Sequence, residues 1–446
     1  MQIPPSSPAS AGQGPASLEL APFRGVRYAQ DRVSGLAEVT SPPYDVIFRD
    51  KENQLMAADP HNVVRLILPR PVSGHPGEEY HHAAESLRRW QDENILVTDP
   101  KPALYMYEQS ASDDAGPGWL QRGLIGAVGV VPPEAGIVLP HEDVSPGPVA
   151  GRLALMEATQ ANLEPIFLLY DGRGGYGATA DVVAETAARQ ALISARTPDG
   201  LRHRLWAIND ADDLAAIAED LAPRQALIAD GHHRYAAYRQ LQARRRQAGS
   251  ASGPWDYGLA LLVDSATYPP RIGAIHRVIP GLDVQHAAKL AALAFAVRQL
   301  PSGTASLPAA VNALSEAGAD GPAFVLADEQ SAYLISHPDH AQAAAAMPAG
   351  RSRQWQALPA AVLQELLITR IWGLTDDDDV VRVVHHDTEA AVRSAQAASG
   401  TAVLCNPMTP DEVYAVAARG EKVPRKSTSF APKPRTGLVL RSFAQG

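Results

Sequence analysis

Ala226-Leu-Ile-Ala-Asp-Gly-His-His-Arg-Tyr235, continued by Ala236-Ala-Tyr-Arg-Gln-Leu241, carries the strongest structural signal of the chain. An apolar run of strand length stops at Asp230-Gly231, and a helical pattern follows. The order predicts strand, tight turn, helix. The turn places Asp230, His232, His233 and Arg234 at a helix N-terminus, where backbone N–H groups and the dipole favour an anion. Arg234 adds a planar fork that matches phosphate oxygens. Two imidazoles can neutralise a phosphate, and either can shuttle a proton. The plainer alternative is a solvated cap, with Asp230 as N-cap and Gly231 for the turn. Two histidines and an arginine at one turn are an uncommon choice for a mere cap.

Working outward, residues 1–17 are rich in Pro, Ser, Gly and Ala and are expected to form a disordered tail. Ser41-Pro-Pro-Tyr-Asp-Val-Ile47 reads as a Pro-fixed turn entering a short strand. Strands are expected at 63–68, 104–107, 123–131, 135–139, 166–170, 205–208, 259–263, 402–405 and 436–440. The runs 323–327 and 331–335 read as a hairpin. Helices are expected at 82–93, 181–194, 285–300, 304–317 and 360–371. Strands alternate with helices but several neighbours look like hairpins, so the expected class is α+β with mixed sheets. No Gly-rich dinucleotide fingerprint is expected after any strand.

At 446 residues the chain is too long for one ordinary core, so two or three domains are expected. Its 46% hydrophobic and 20% charged residues are those of a soluble globular protein. A net charge of −10 argues against broad nucleic-acid binding, though a local basic pocket can still hold a small anion. The single cysteine, Cys405, excludes an intramolecular disulfide framework and a multi-thiolate metal site. No membrane span and no signal peptide are read, so the cytoplasm is expected.

Two further motifs carry candidate chemistry. In Leu139-Pro-His-Glu-Asp-Val144, Glu142 could act as general base for a hydroxyl, with His141 on a phosphate or a metal. A surface-loop carboxylate is the alternative. No second His stands at zincin spacing, so a metalloprotease is excluded. Downstream, Lys422, Arg425, Lys426, Lys433 and Arg435 accompany Ser427, Thr428 and Ser429. Such a cluster suits an anion through charge and short hydroxyl donors, although its spacing is not that of a P-loop. A poorly ordered basic tail is the alternative. Tyr44 and Asp45 could line a pocket, with a purely structural turn as the equal alternative. His276 and Arg277 could join the anion site, with a surface role as the alternative. Asp376–Asp379 reads as a solvated acidic loop, and His385-His386-Asp387 could bind a metal, although no third ligand is identifiable.

Taken together, Pro42-Pro-Tyr-Asp45, His141-Glu142, Asn162-Leu-Glu-Pro165, Asp230-Gly-His-His-Arg-Tyr235, His276-Arg277, Arg425-Lys-Ser-Thr428 and Pro432-Lys433 resemble the DUF1015 family from about Leu18 to Leu440. Within it, the strand–Asp-Gly-His-His-Arg–helix turn is similar to the ligand loop of the ParB/sulfiredoxin-like fold, which includes the free serine kinases. That resemblance implies a ParB-like, serine-kinase-like core embedded in a larger DUF1015 arrangement. The regions expected are 18–130 (N-terminal α/β), 131–280 (the ligand-binding core) and 281–446 (C-terminal α/β with the basic segment). It also implies Glu142 as the base. Glu142 lies farther from Asp230 than in a compact ParB-like domain, so an insertion is expected between them.

The function expected is phosphoryl transfer to a small hydroxylated, amino-acid-like metabolite, with free L-serine leading and ATP, ADP or pyrophosphate as donor. In it, His141, Gly231, His232, His233 and Arg234 hold the phosphoryl group. Arg425, Lys426, Ser427, Thr428 and Lys433 hold the donor's other phosphates. Asp230 orients a histidine or binds Mg²⁺, the expected cofactor. A phosphoserine phosphatase and a non-catalytic nucleotide-binding regulator stay open as alternatives. The sequence leaves the oligomeric state undetermined.

Overall fold

The computed structural model describes residues 17–445, apart from 72–74, 76, 112–117, 302–305, 376 and 378. The expected tail through residue 16, Thr304 at the start of an expected helix, and Asp376 and Asp378 of the acidic loop lie outside the described residues. The chain divides into two compact units. One comprises residues 1–140, 144–269 and 432–446, the other 141–143 and 270–431. The class is α+β with mixed sheets.

The first unit is built on a nine-stranded sheet. Its order is Val138–Leu139, Ala226–Asp230, Ile166–Tyr170, Tyr257–Asp264, Leu120–Gly129, Leu104–Ala111, Leu201–Ile208 and Ile193–Arg196, with Leu20–Ala21 paired beside Leu120–Gly129. Two pairs are parallel: Ala226–Asp230 with Val138–Leu139, and Ile166–Tyr170 with Tyr257–Asp264. The other pairs of this sheet are antiparallel. Every residue of Ala226–Asp230 and of Ile166–Tyr170 is buried, as unbroken apolar runs at a sheet centre require. Helices Pro146–Thr159 and His232–Gln247 pack together and close a core containing Leu153, Met156, Ile166, Leu168, Ile228, Tyr235 and Leu241. A small sheet joins Leu96–Thr98, Gly25–Tyr28, Leu440–Ser442 and Ala161–Asn162.

The second unit holds a six-stranded antiparallel sheet: Ala296–Leu300, Ala332–Ser336, Phe324–Ala327, Thr401–Cys405, Ile275–Ile279 and Arg382–His385. The expected hairpin is the Phe324–Ala327/Ala332–Ser336 pair. Helices line both of its cores, one around Phe324, Leu366 and Val403, the other around Leu314, Val325 and Leu404.

Several elements correct the sequence reading. The expected strand at 63–68 is a short helix, Val64–Ile67, started by the Asn62 side chain, which accepts the Val64 amide at 2.9 Å. The side-chain turn at Asn62, together with burial of Val64, Leu66 and Ile67, overrides the β-branched composition there. The expected helix 285–300 ends at Ala291, and Ala296–Leu300 becomes an edge strand beside Ala332–Ser336. Likewise the helix expected at 181–194 spans Ala178–Ala187, and Ile193–Arg196 pairs with Leu201–Ile208. After Pro43 the chain forms a 3₁₀ turn, Tyr44–Val46, not a strand. Of 135–139 only Val138–Leu139 is strand, and the last strand is Leu440–Ser442. Contrary to expectation, Gly172-x-Gly174-x-x-Gly177 stands between the strand Ile166–Tyr170 and the helix Ala178–Ala187, at dinucleotide-fingerprint spacing.

Candidate functional site

In the first unit the strand Ala226–Asp230 loses register between Ile228 and Asp230, then turns at Gly231. Gly231 has φ +95°, and a Cβ there would lie 2.8 Å from Ile166 Cγ2, so glycine is required for both conformation and space. Helix His232–Gln247 starts directly behind it with no side-chain cap and no acidic residue in its first turn. Its last turn carries Arg244, Arg245 and Arg246, which complement the dipole. His232 is buried. His233 Nε2 accepts the Ser145 amide at 3.1 Å, so in the neutral ring the proton sits on Nδ1.

Behind the turn lies an ionic network in which Asp230, Arg234 and Glu164 are buried, Lys433 is half-buried and Asp45 is exposed. Asp230 accepts from Lys433 Nζ on one oxygen (2.5 Å) and from Arg234 Nη2 on the other (2.6 Å). Lys433 Nζ also meets Asp45 at 2.9 Å. Arg234 donates through Nη1 to the Pro165 carbonyl at 2.5 Å and lies 5.8 Å from the Tyr44 ring centre. Arg152 covers that ring at 4.2 Å and reaches Glu164 at 3.5 Å. Glu164 in turn accepts the Tyr44 amide at 3.0 Å. Burial, reinforced by the Asp45 charge, raises the Asp230 carboxyl against the pull of Lys433 and Arg234. Burial also pushes Asp45 upward, but Lys433 and Arg234 outweigh it and hold that carboxyl low. Burial lifts Glu164 despite Arg234 and Arg152. Lys433 stays charged, because Asp230 and Asp45 overcome its own desolvation.

The structure thus brings together Tyr44, Asp45, Asp230, Gly231, Arg234 and Lys433, whereas the sequence groups Lys433 with Arg425, Lys426 and Ser427. Arg234 and Lys433 are neutralised inside the network and fix the turn. Asp230, for which the sequence left open orienting a histidine or binding Mg²⁺, has one oxygen on Lys433 and the other on Arg234. Glu164 and Arg152 were not among the expected site residues. Their signal was a glutamate just ahead of Pro165 and a fully apolar strand, where a charge needs a partner.

In the second unit, Thr428 joins the other motif. Its hydroxyl donates to Glu142 Oε1 at 2.7 Å and lies 2.9 Å from His141 Nε2. With the hydroxyl proton spent on Glu142, His141 Nε2 must be the donor to Thr428, which fixes its tautomer. His141 is fully buried, packs on Phe430 at 5.6 Å and accepts the Val423 amide on its carbonyl. Arg277 donates to the carbonyls of Arg425 (3.1 Å) and Lys426 (3.0 Å) and to that of Ile275 (3.2 Å), so it shapes the basic segment. Ser427 Oγ donates to the Pro424 carbonyl at 2.6 Å. His276 instead accepts the Cys405 amide at 3.2 Å. Burial, with His386 and Arg277 nearby, pushes His276 down to about 4, so it is a neutral strand residue near pH 7.

The fold and these motifs define a mixed α+β protein with an uncapped, histidine-bearing helix start at the end of a central strand. The chain belongs to the DUF1015 family, described as a protein of unknown function, whose model matches residues 20–361. No protein of curated function matches it. Among solved structures it is similar to a free serine kinase variant in complex with ADP, at 14% identity and a TM-score of 0.32, over 69% of this chain and 87% of that one. It is similar also to a conserved hypothetical protein from Pyrococcus furiosus, at 15% identity and a TM-score of 0.31, over 69% and 90%. SbnI with a C-terminal truncation from Staphylococcus aureus matches at 12% identity and a TM-score of 0.32, over 71% and 81%. At these values the likeness says nothing of activity. Among the described residues no helix is long and apolar enough to cross a membrane.

Proposed function

We propose that this protein is a phosphotransferase acting on a small hydroxylated metabolite, with free L-serine as the leading acceptor and ATP, ADP or pyrophosphate as donor. The observation that carries this reading is the helix start behind Gly231, with His232 and His233 in its first turn and neither an acidic residue nor a side-chain cap there. Phosphoryl transfer asks the protein mainly for positioning and charge neutralisation, and such a helix start supplies both.

In this reading the first-turn amides, His232 and His233 hold the transferring phosphoryl group. Arg234, Lys433, Asp230 and Asp45 are positioning residues. Glu142 takes the proton of the acceptor hydroxyl. The hydroxyl oxygen bonds to phosphorus while the donor's bridging P–O bond breaks, its electrons leaving on the departing phosphate. Arg425 and Lys426 are proposed for the donor's remaining phosphates. Mg²⁺ is proposed as counter-ion of those phosphates, not as a ligand of Asp230.

The test incubates the full chain with Mg²⁺, L-serine and each donor separately, and measures O-phosphoserine by mass spectrometry. Donor-dependent phosphoserine supports the proposal and names the donor. Orthophosphate released from O-phosphoserine alone would replace it with a phosphatase. Saturable nucleotide binding with no product from any hydroxylated amino acid would replace it with a regulator.

A further inference from the structure

The Gly172-x-Gly174-x-x-Gly177 turn lies at the other end of the central strands from Asp230. Asp230 is opposite Phe167, whereas the turn follows Tyr170, which is opposite Asp264 across the parallel pair. Strand, turn and helix stand in the order that seats a pyrophosphate in dinucleotide-binding proteins. Here two carboxylates of the same chain fill that seat. Asp264 accepts the Gly172 amide at 2.8 Å, the Ala266 amide at 3.0 Å and the Thr267 hydroxyl at 2.5 Å. A Cβ on Gly172 would lie 2.1 Å from Asp264, so the glycine makes room for the carboxylate. Asp220 accepts the Thr179 amide at 3.3 Å at the helix start, and a Cβ on Gly177 would meet it at 3.0 Å. Asp181 adds a third negative charge in the first turn. A pyrophosphate would meet like charge at close range.

A cavity of about 210 Å³ nevertheless opens beside the turn, below the roughly 300 Å³ at which pockets for drug-sized ligands begin. Its polar lining includes Arg122, Tyr170, Thr179, Asp181, Asp264 and Tyr268. Arg122 gives Nε to Glu108 at 2.8 Å and hydrogen-bonds Tyr268 as well, and Glu108 is held from its other side by Arg204, so two guanidinium groups share one carboxylate and the cavity wall keeps a net positive charge at Arg122. Asp181 is exposed, whereas Asp264 is saturated by the turn. Thr179 is 2% exposed, and its hydroxyl makes no well-formed hydrogen bond although it lies near enough to Asp220 to hold that carboxyl low, so a bound polar group would pair it better. One wall therefore offers a guanidinium, another a carboxylate, with a buried hydroxyl near the helix start.

We propose that this cavity binds a small zwitterionic amino acid, its carboxylate on Arg122 and its ammonium on Asp181, and that the glycine-rich turn is the wall of this site rather than a dinucleotide seat. The site is separate from the Gly231 turn and does not depend on the phosphotransferase reading.

The test is a thermal-shift screen of the full chain against each of the twenty common L-amino acids and NAD⁺, followed by calorimetry on any that raise the midpoint. The expected result is binding of a small amino acid that Arg122→Met and Asp181→Asn each weaken about tenfold or more, the worth of one charge-assisted hydrogen bond. Asp181 is exposed, so its substitution leaves the fold intact. Binding should survive His232→Ala at the far end of the sheet. The proposal is overturned if NAD⁺ binds instead, if no amino acid binds, if both cavity variants bind normally, or if His232→Ala abolishes binding.

Discussion

Lys433 Nζ sits between two carboxylates, 2.5 Å from Asp230 and 2.9 Å from Asp45, and so ties the end of the chain to the turn that opens helix His232–Gln247. Arg234 takes the other oxygen of Asp230. Removing Lys433 leaves the buried Asp230 and the exposed Asp45 beside it with one cation fewer. Lys433→Met should therefore destabilise the protein by about 3 kcal/mol or more, as read by urea unfolding. Adding Asp45→Asn should recover part of that loss. If Lys433→Met unfolds at the wild-type midpoint, the network does not hold the turn.

Gly231→Ala places a side chain at φ +95° and 2.8 Å from Ile166 Cγ2. Backbone strain alone should cost about 1–3 kcal/mol, with the clash in addition. Because the helix start must shift, pyrophosphate or nucleotide binding should weaken more than stability does. Calorimetric titration of a variant shown to be folded measures this, and undiminished affinity would separate the turn from anion binding.

The expectations that held were those resting on local chemistry. Strand, glycine turn and helix at Ala226–Leu241 follow from one apolar run and one break, and the Phe324–Ala327/Ala332–Ser336 hairpin from two runs and a short turn. The failures have a common physical cause. Val64–Ile67 is apolar and β-branched, yet the Asn62 side chain and burial make it helix. Ala296–Leu300 continues an Ala-rich stretch, and only the sheet edge it finds makes it a strand. Long-range charge pairing was equally hidden. The sequence groups Lys433 with Arg425 and Lys426, but its partners, Asp45 and Asp230, are far away in the chain. The Gly172–Gly177 spacing was there to be read, whereas the carboxylates that occupy it were not.

Glu142 and Thr428 give a prediction about rate. Glu142→Gln keeps the shape and a hydrogen bond to Thr428 but loses the base. It should abolish turnover while leaving ligand affinity within about threefold, a difference of well under 1 kcal/mol. Thr428→Val should lower kcat far more than it changes KM, and Thr428→Ser should restore it, since the serine hydroxyl can again link His141 to Glu142. Normal activity in Glu142→Gln would remove Glu142 from the role of base.

Two buried histidines predict acid sensitivity. His203, between the Tyr107 hydroxyl (2.8 Å) and the Thr197 hydroxyl (3.0 Å), is pushed by burial and by Arg435 from 6.5 to about 4. His276 is lowered to the same value. The unfolded chain takes up these protons near 6.5 while the native state resists them until about 4. The stabilisation is therefore complete above 6.5 and is lost as the pH falls toward 4, by roughly 3 kcal/mol for each histidine. Urea unfolding at pH 7.5, 5.5 and 4.5 checks this. His203→Gln and His276→Gln should each flatten the slope in that window, and an unchanged slope in both would contradict it.

The most direct measurement is a phosphorus NMR time course in ¹⁸O-enriched water, with L-serine, Mg²⁺ and a single donor. Transfer to serine predicts a growing phosphoserine resonance without any isotope shift, because the bridging oxygen comes from serine and water never reaches phosphorus. Isotope-shifted orthophosphate in place of phosphoserine would show that water is the acceptor, and would contradict the phosphotransferase account.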